Sequence, residues 1–219
     1  MALNTIFLRL AIGLALSAWL GAAFAQSPVM VAKPQSWEQT VGWQEFSHYD
    51  GRFSVTTPGP MTTKVDSVKT PLGTLAYHAF FFQPANDNAD NAVYMVSYCD
   101  YPEGSVHSDS SALVQDLFDA TQESAAMSVN GELRYADALN VAGYPGRIWR
   151  IDYRDGRASI HTRAFVAANR YYAIQTVCKR DLALNPSSDR FLESFRLLGR
   201  PDVSGSELHG RRKNRRNRH

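Results

Sequence analysis

Residues 147–167 read RIWRIDYRDGRASIHTRAFVA. Polar and apolar side chains alternate on both sides of Asp155-Gly156. A period of two marks a strand with one buried face. Asp-Gly favours the two-residue turn whose twist suits an antiparallel hairpin. Such a turn sets the register: Arg154 faces Arg157, Arg150 lies opposite His161, and Asp152 lies opposite Ser159. Side chains two apart share a face. Arg150, Asp152, His161 and Arg163 therefore form one polar stripe, while Trp149, Ile151, Tyr153 and Ile160 share the other face. The stripe reads either as a solvated sheet face with cross-strand ion pairs or as a small anion- or partner-binding patch.

Working outward, the same pattern recurs. Upstream, Trp43–Phe46 and Arg52–Thr57 flank Asp50-Gly51, and Thr62–Thr70 and Gly73–Gln83 flank Pro71-Leu72. Each pair reads as a hairpin. Val93–Cys99 is apolar on both faces, as in a strand covered on both sides. Between about Ser108 and Val129 the period changes. Val114, Leu117, Phe118, Ala125 and Val129 follow helical spacing, Ser108 or Asp109 supplies a cap, and Asn130-Gly131 supplies a left-handed stop. Strands are then predicted over Glu132–Asn140, Arg147–Tyr153, Ala158–Ala167 and Tyr171–Cys178, with Asn169 at a tight reversal. Asn185-Pro186 opens a short helix that packs through Phe191, Leu192 and Phe195. The class is α+β: a mainly antiparallel sheet with a long helix and a short C-terminal helix packed on it.

Three stretches carry a resemblance. They are Gly51-Arg52-Phe53-Ser54-Val55 running on to Pro58-Gly59-Pro60, then Gly143-Tyr144-Pro145-Gly146-Arg147, and Asp189-Arg190-Phe191-Leu192-Glu193-Ser194-Phe195-Arg196-Leu197. Together they resemble the small exported bacterial proteins of the PsbP-like α/β/α fold. That fold is shared with a lumenal subunit of the oxygen-evolving complex and with a Ran-binding nuclear import factor. The resemblance spans roughly residues 43–198 and implies an accessory or binding module. It brings no active site across. Read for themselves, Gly143-Tyr144-Pro145-Gly146 is a turn that starts a strand, and Phe191 and Phe195 are core.

The ends of the chain differ from its body. Residues 1–25 read as a secretory signal: one early cation, Arg9, an apolar run Leu10–Leu20, and Ala23-Phe24-Ala25 with small residues before Gln26. Cleavage is expected after Ala25. Residues 26–36 read as a linker, 37–199 as one α+β domain, and 200–219 as a disordered basic tail. That tail holds seven of the 23 Lys and Arg residues against two of the 21 acids. The domain before it is accordingly mildly acidic. Arg211, Arg212, Lys213, Arg215, Arg216 and Arg218 crowd into the last stretch, where like charges repel and extend the chain. An exported tail of this kind meets phospholipid head groups and other anionic envelope polymers rather than nucleic acid, so it reads either as a reversible tether making peripheral membrane contact or as a passive solubilising tail.

Chemistry-bearing motifs are few. His48, His78, His107, His161, His209 and His219 show no ligand spacing, and there is no Gly-x-Ser-x-Gly elbow or phosphate-cradling glycine loop. Asn86, Asn88 and Asp90 alternate as calcium ligands do, but Asn91 and Ser97 stand where glycine and glutamate belong. A polar hairpin loop explains them as well. No metal or cofactor is expected. Two cysteines, Cys99 and Cys178, each end an apolar strand. In an oxidising compartment an even count points to a disulfide, with buried free thiols as the other reading. The expected function is a non-catalytic periplasmic or secreted binding or accessory module, whose partner is an envelope protein or anionic envelope polymer. The rival is a small exported hydrolase-like enzyme with a dispersed site.

Overall fold

The computed structural model describes residues 42–70, 72–86 and 88–199. The segments read above as signal, linker and basic tail, and residues 37–41 of the expected domain, lie outside the described residues. Ten strands and two α-helices follow in the order β1 (Gln44–His48), β2 (Phe53–Thr57), β3 (Thr62–Thr70), β4 (Gly73–Phe82), β5 (Val93–Asp100), α1 (Ser111–Ser128), β6 (Glu132–Val141), β7 (Tyr144–Tyr153), β8 (Ala158–Ala167), β9 (Arg170–Lys179), α2 (Pro186–Ser194) and β10 (Arg196–Leu197). Seven strands form one antiparallel sheet in the order β3-β4-β5-β9-β8-β7-β6, and β1-β2-β10 form a second, smaller one. The chain is α+β, as its patterning predicts.

The two-faced character of β5 decides the layering. Seven of its eight residues are buried, so it needs cover on both sides. Val93, Met95 and Cys99 face a core with Trp149, Ile151, Ile160 and the helix residues Val114, Leu117 and Phe118. Tyr94, Val96 and Tyr98 face a second core, with Phe53 and Val55 of β2 and Phe191, Leu192 and Phe195 around α2. Helix α1 thus covers one face of the large sheet. The small sheet and α2 cover part of the other.

Local chemistry explains the boundaries. Helix α1 starts later than its periodicity predicts, at Ser111, because the Ser108 amide bonds the Ala168 carbonyl at 2.8 Å. Ser110 takes the cap position without a side-chain bond. The helix stops as expected. Asn130 is left-handed (φ 48°), its amide donates to Met127 O, and the Gly131 amide donates to Ala126 O, which is a Schellman closure. Gly51 does not serve as a left-handed turn residue. Arg52 holds the positive φ of that turn. A Cβ on Gly51 would lie 2.7 Å from Tyr98 Cε1 and 2.8 Å from His48 Nδ1, so the glycine permits close approach instead.

The Gly143 motif also resolves differently. The reversal is made by Ala142 and Gly143, both at positive φ, between paired Val141 and Tyr144. Tyr144, Pro145 and Gly146 already belong to β7. Pro145 is tolerated because the pairing of β7 with β8 begins one residue later, at Gly146.

The expected disulfide does not form. Cys99 and Cys178 are buried free thiols. Cys99 pairs with Tyr171 across β5 and β9, and Cys178 lies seven positions further along β9, roughly 23 Å away at ~3.3 Å per residue. A disulfide needs Cα atoms within about 7 Å. The C-terminal ends of antiparallel neighbours point in opposite directions, so two cysteines that each end a strand are carried apart. Their side chains also leave opposite faces of the sheet. Burial pushes Cys99 up to about 12 and Cys178 up to about 11, which leaves both thiols protonated and unreactive at neutral pH.

Candidate functional site

The Asp155-Gly156 turn delivers the register expected of it. Arg150 pairs with His161 and Asp152 with Ser159. Arg163 lies opposite Ile148 on the same face. All four stripe residues stand together, with ion pairs on this face as one reading expected, but its centre is not solvated. Asp152 is 7 % exposed and His161 8 %.

Helix α2 buries His161, whereas Asp152, on β7 beyond the helix, is enclosed by Arg150, Arg180, Ser159 and Arg134. The first turn of α2 is fixed over the sheet by Ser188, whose hydroxyl lies 2.9 Å from that of Thr176. Thr176 pairs with His161 across β8 and β9. A helix seated on Thr176 therefore shades His161. The Arg163 guanidinium donates to Leu192 O in the last turn of α2, at 3.3 Å. The cover ends there. Beyond α2 the sheet face of β6 and β7 is open: Tyr135 is 39 % exposed, and Asp137 is exposed as well.

Asp152 is the electrostatic centre. Arg150 grips it with two bonds, Nε to Oδ1 at 3.0 Å and one terminal nitrogen to Oδ2 at 3.1 Å. Arg180 donates to Oδ2 at 2.8 Å, and Ser159 to Oδ1 at 2.7 Å. Arg134 stands 3.6 Å from Oδ2 and also pairs with Glu132 at 2.9 Å. Three guanidinium groups thus share two carboxylates. Burial works to raise the Asp152 carboxyl, but the Arg150 and Ser159 hydrogen bonds and the charges of Arg150 and Arg180 outweigh it, and hold the group below the usual carboxylate range. His161 is also shifted down, first by burial and then by the Arg150 charge, against the opposing pull of Asp152 and Asp189. Its Nε2 is buried with no hydrogen-bond partner among the described residues.

Ser159, His161 and Asp152 share this patch without forming a relay. The Ser159 hydroxyl donates to Asp152, and no described hydrogen bond joins His161 to either. A nucleophile-base pair needs contact between the two groups, although contacts lengthen in unliganded sites. The arrangement suits charge recognition better than proton transfer.

Next to the stripe is a cleft of about 310 Å³. It opens between the β6–β7 turn, the β8–β9 sheet face and the segment from α2 into β10. Phe165, Ile174, Leu192 and Phe195 form its floor as buried core side chains, and Asn140, Arg163, Glu193 and Arg196 give it a mixed polar rim. Sequence reading did not reach this cleft, nor Tyr135, Arg134 and Arg180. Tyr135 was accessible in principle: counting back from the Ala142-Gly143 turn puts it opposite Arg150, as observed. Arg134 occupies a bulge between Leu133 and Tyr135, and no periodicity announces a bulge.

The calcium-like loop has another use. Asn86 Oδ1 accepts the Asn88 amide, and Ser187 donates to Asp90 at 2.5 Å. The loop tethers α2. Among the described residues no group of three or more His, Cys, Asp or Glu side chains is placed to hold a metal ion. No described helix is long and apolar enough to cross a membrane.

Replacing Asp152 by Asn leaves Arg150, only 14 % exposed, without its counter-charge. Breaking a buried pair costs about 3 kcal/mol. Because the folded carboxyl titrates below its unfolded value of about 3.9, its stabilisation is complete above that pH and fades as pH falls through the folded value. Denaturant titrations should find the D152N protein about 3 kcal/mol less stable than wild type at pH 7, with the gap closing towards pH 2. A gap unchanged by pH, or absent at pH 7, would show that the carboxylate does not carry this cluster.

No family model matches the chain, and no curated protein matches it. Among solved structures it is similar to the solution structure of cyanobacterial PsbP (CyanoP) from Synechocystis sp. PCC 6803, at 10 % sequence identity and a TM-score of 0.45, over 75 % of this chain and 98 % of that one.

Proposed function

We propose that the protein is an exported, non-catalytic binding or accessory module of the periplasm or extracellular space. Its binding surface is the face of β6, β7 and β8 that α2 leaves uncovered. The observation that carries this reading is the Arg-rich cluster around Asp152 set beside a concave cleft of mixed polar and apolar lining. Ligand sites are concave, with a few convergent polar groups that fix orientation. Export rests on the leader over residues 1–25 with its Ala23-Phe24-Ala25 site.

The basic tail adds a second contact. Arg211, Arg212, Lys213, Arg215, Arg216 and Arg218 would each contribute about 1 kcal/mol near an anionic membrane. That suffices for loose, reversible attachment of an acidic domain to phospholipid or another anionic envelope polymer, independent of sequence or sugar.

Two measurements test the two parts. A photo-crosslinker at Tyr135, on the open face, should label an envelope component, whereas the same group at Val65, exposed on the far edge strand β3, should not. Equal labelling from both positions, or none from Tyr135, would end the binding-face reading. For the tail, the full chain should co-sediment with phosphatidylglycerol vesicles at low salt and be released as salt shortens the screening length. A chain ending at Gly199 should keep its melting temperature and lose the vesicles. Equal sedimentation of the two would remove the tether.

A further inference from the structure

The turn between β1 and β2 is fastened to the large sheet through its own backbone. The Arg170 guanidinium donates to Asp50 O at 2.7 Å, and the Tyr172 hydroxyl donates to Gly51 O at 2.8 Å. Both donors stand on β9. Arg170 is held in turn by Asp100 of β5, through two bonds at 2.5 and 2.7 Å, and lies over the Tyr98 ring. The Leu198 amide donates to Arg52 O at 2.8 Å, which ties the chain beyond β10 to the same turn. The other end of the small sheet is fastened separately, where the Thr56 amide donates to Ser194 Oγ at 2.9 Å.

One bond inside this turn has a titratable partner. The Gly51 amide donates to His48 Nδ1 at 2.9 Å. A ring nitrogen that accepts a hydrogen bond carries no proton, so the bond requires a neutral imidazole protonated on Nε2. An imidazolium would point a second N–H at the amide. The His48 ring lies 4.4 Å from the Phe80 ring between centroids, with Phe53 and Tyr98 at 5.9 and 6.1 Å. Three aromatic neighbours on β2, β4 and β5 therefore hold it against the amide. Burial is the first influence on its charge, and it opposes the imidazolium. Asp50, in the turn, favours the charged form, whereas His78 of β4 and Arg170 of β9 oppose it. Asp100, the carboxylate on β5, is committed to Arg170. Arg52 adds a further cation beside Tyr172.

We infer that the His48–Gly51 bond is an acid-sensitive clasp: protonation of His48 breaks it and loosens the turn end of the small sheet from β4, β5 and β9. The Thr56–Ser194 end stays attached, so the small sheet lifts from one side. Lifting uncovers Phe80 and Tyr98, both buried beneath it. The direction in pH follows from the environment. The folded ring protonates below its unfolded value of about 6.5, so its stabilisation is complete above that pH and is lost as pH falls towards the folded value. The clasp lies at the β1–β2 turn and stands independently of the binding face on β6, β7 and β8.

Native-state hydrogen exchange on the full chain, at about pH 7.5 and about pH 5, is the direct test. Protection is read as the intrinsic exchange rate divided by the observed one, which removes the pH dependence of the chemistry itself. Protection of the Gly51 and Leu198 amides should fall by at least about threefold at the lower pH. His48→Asn places an oxygen where Nδ1 stands and accepts the amide without titrating, so its protection should be the same at both pH values. His48→Phe keeps a ring against Phe80 and offers no acceptor, so it should show the weaker, acid-like protection at both. His78 is retained in both variants, which separates its titration from that of His48. The inference is overturned if wild-type protection at Gly51 is equal at the two pH values, or if either variant keeps the wild-type fall.

Discussion

The reciprocal pairing of two buried side-chain amides, Asn91 and Asn185, determines where α2 sits, and the open face follows from that position. Asn91 donates to Asn185 Oδ1 and Asn185 donates to Asn91 Oδ1, each at 3.2 Å. The pair is satisfied at its other atoms as well. Asn91 also donates to the Tyr94 hydroxyl and accepts from Ser188 Oγ. Asn185 accepts the Ser188 amide as the cap of α2 and donates to Leu182 O. Buried polar groups left unpaired cost more than their bonds contribute, so a network this complete admits one placement of the helix. It links the loop before β5 to the first turn of α2, 94 residues apart in sequence.

The position has electrostatic consequences. With its start held by Asn91 and by Thr176, α2 covers Ile174 and His161 and then ends, one strand short of Arg150. The sheet face beyond it cannot be apolar, since water reaches it. It cannot be wholly solvated either, because α2 shades its inner margin. Buried charge in such a place survives only when paired, and Asp152 with Arg150, Arg180 and Arg134 is the result. The cleft lies where α2 turns into β10, beside the β6–β7 turn.

Much of this was legible in the chain. Asp155-Gly156 gave the register of the whole stripe, because a two-residue turn between alternating strands leaves no freedom of pairing. Asn130-Gly131 and Asn185-Pro186 gave the ends of the helices that cover the sheet. The failures have one source: local patterns do not report strand neighbours. Cys99 and Cys178 each end an apolar strand, which reads as proximity. Only the adjacency of β5 and β9, antiparallel and bridged by no local turn, reveals that they lie at opposite ends. Likewise Asn91 reads as a misplaced calcium-loop residue until Asn185 arrives beside it. The burial of His161 was invisible because it depends on α2, a helix attached by that long-range amide pair.

The Asn91–Asn185 pair, and not the apolar contacts of Phe191 and Leu192 alone, holds α2 over the sheet. Native-state hydrogen exchange on an Asn91→Ala protein tests it most directly. Amides of α2 should open at lower free energy by about 2 kcal/mol, the cost of orphaning a buried amide, while amides of β5 and β9 retain wild-type protection at the same pH. Unchanged protection of α2 in the folded variant would contradict it, and so would an equal loss of protection across helix and sheet.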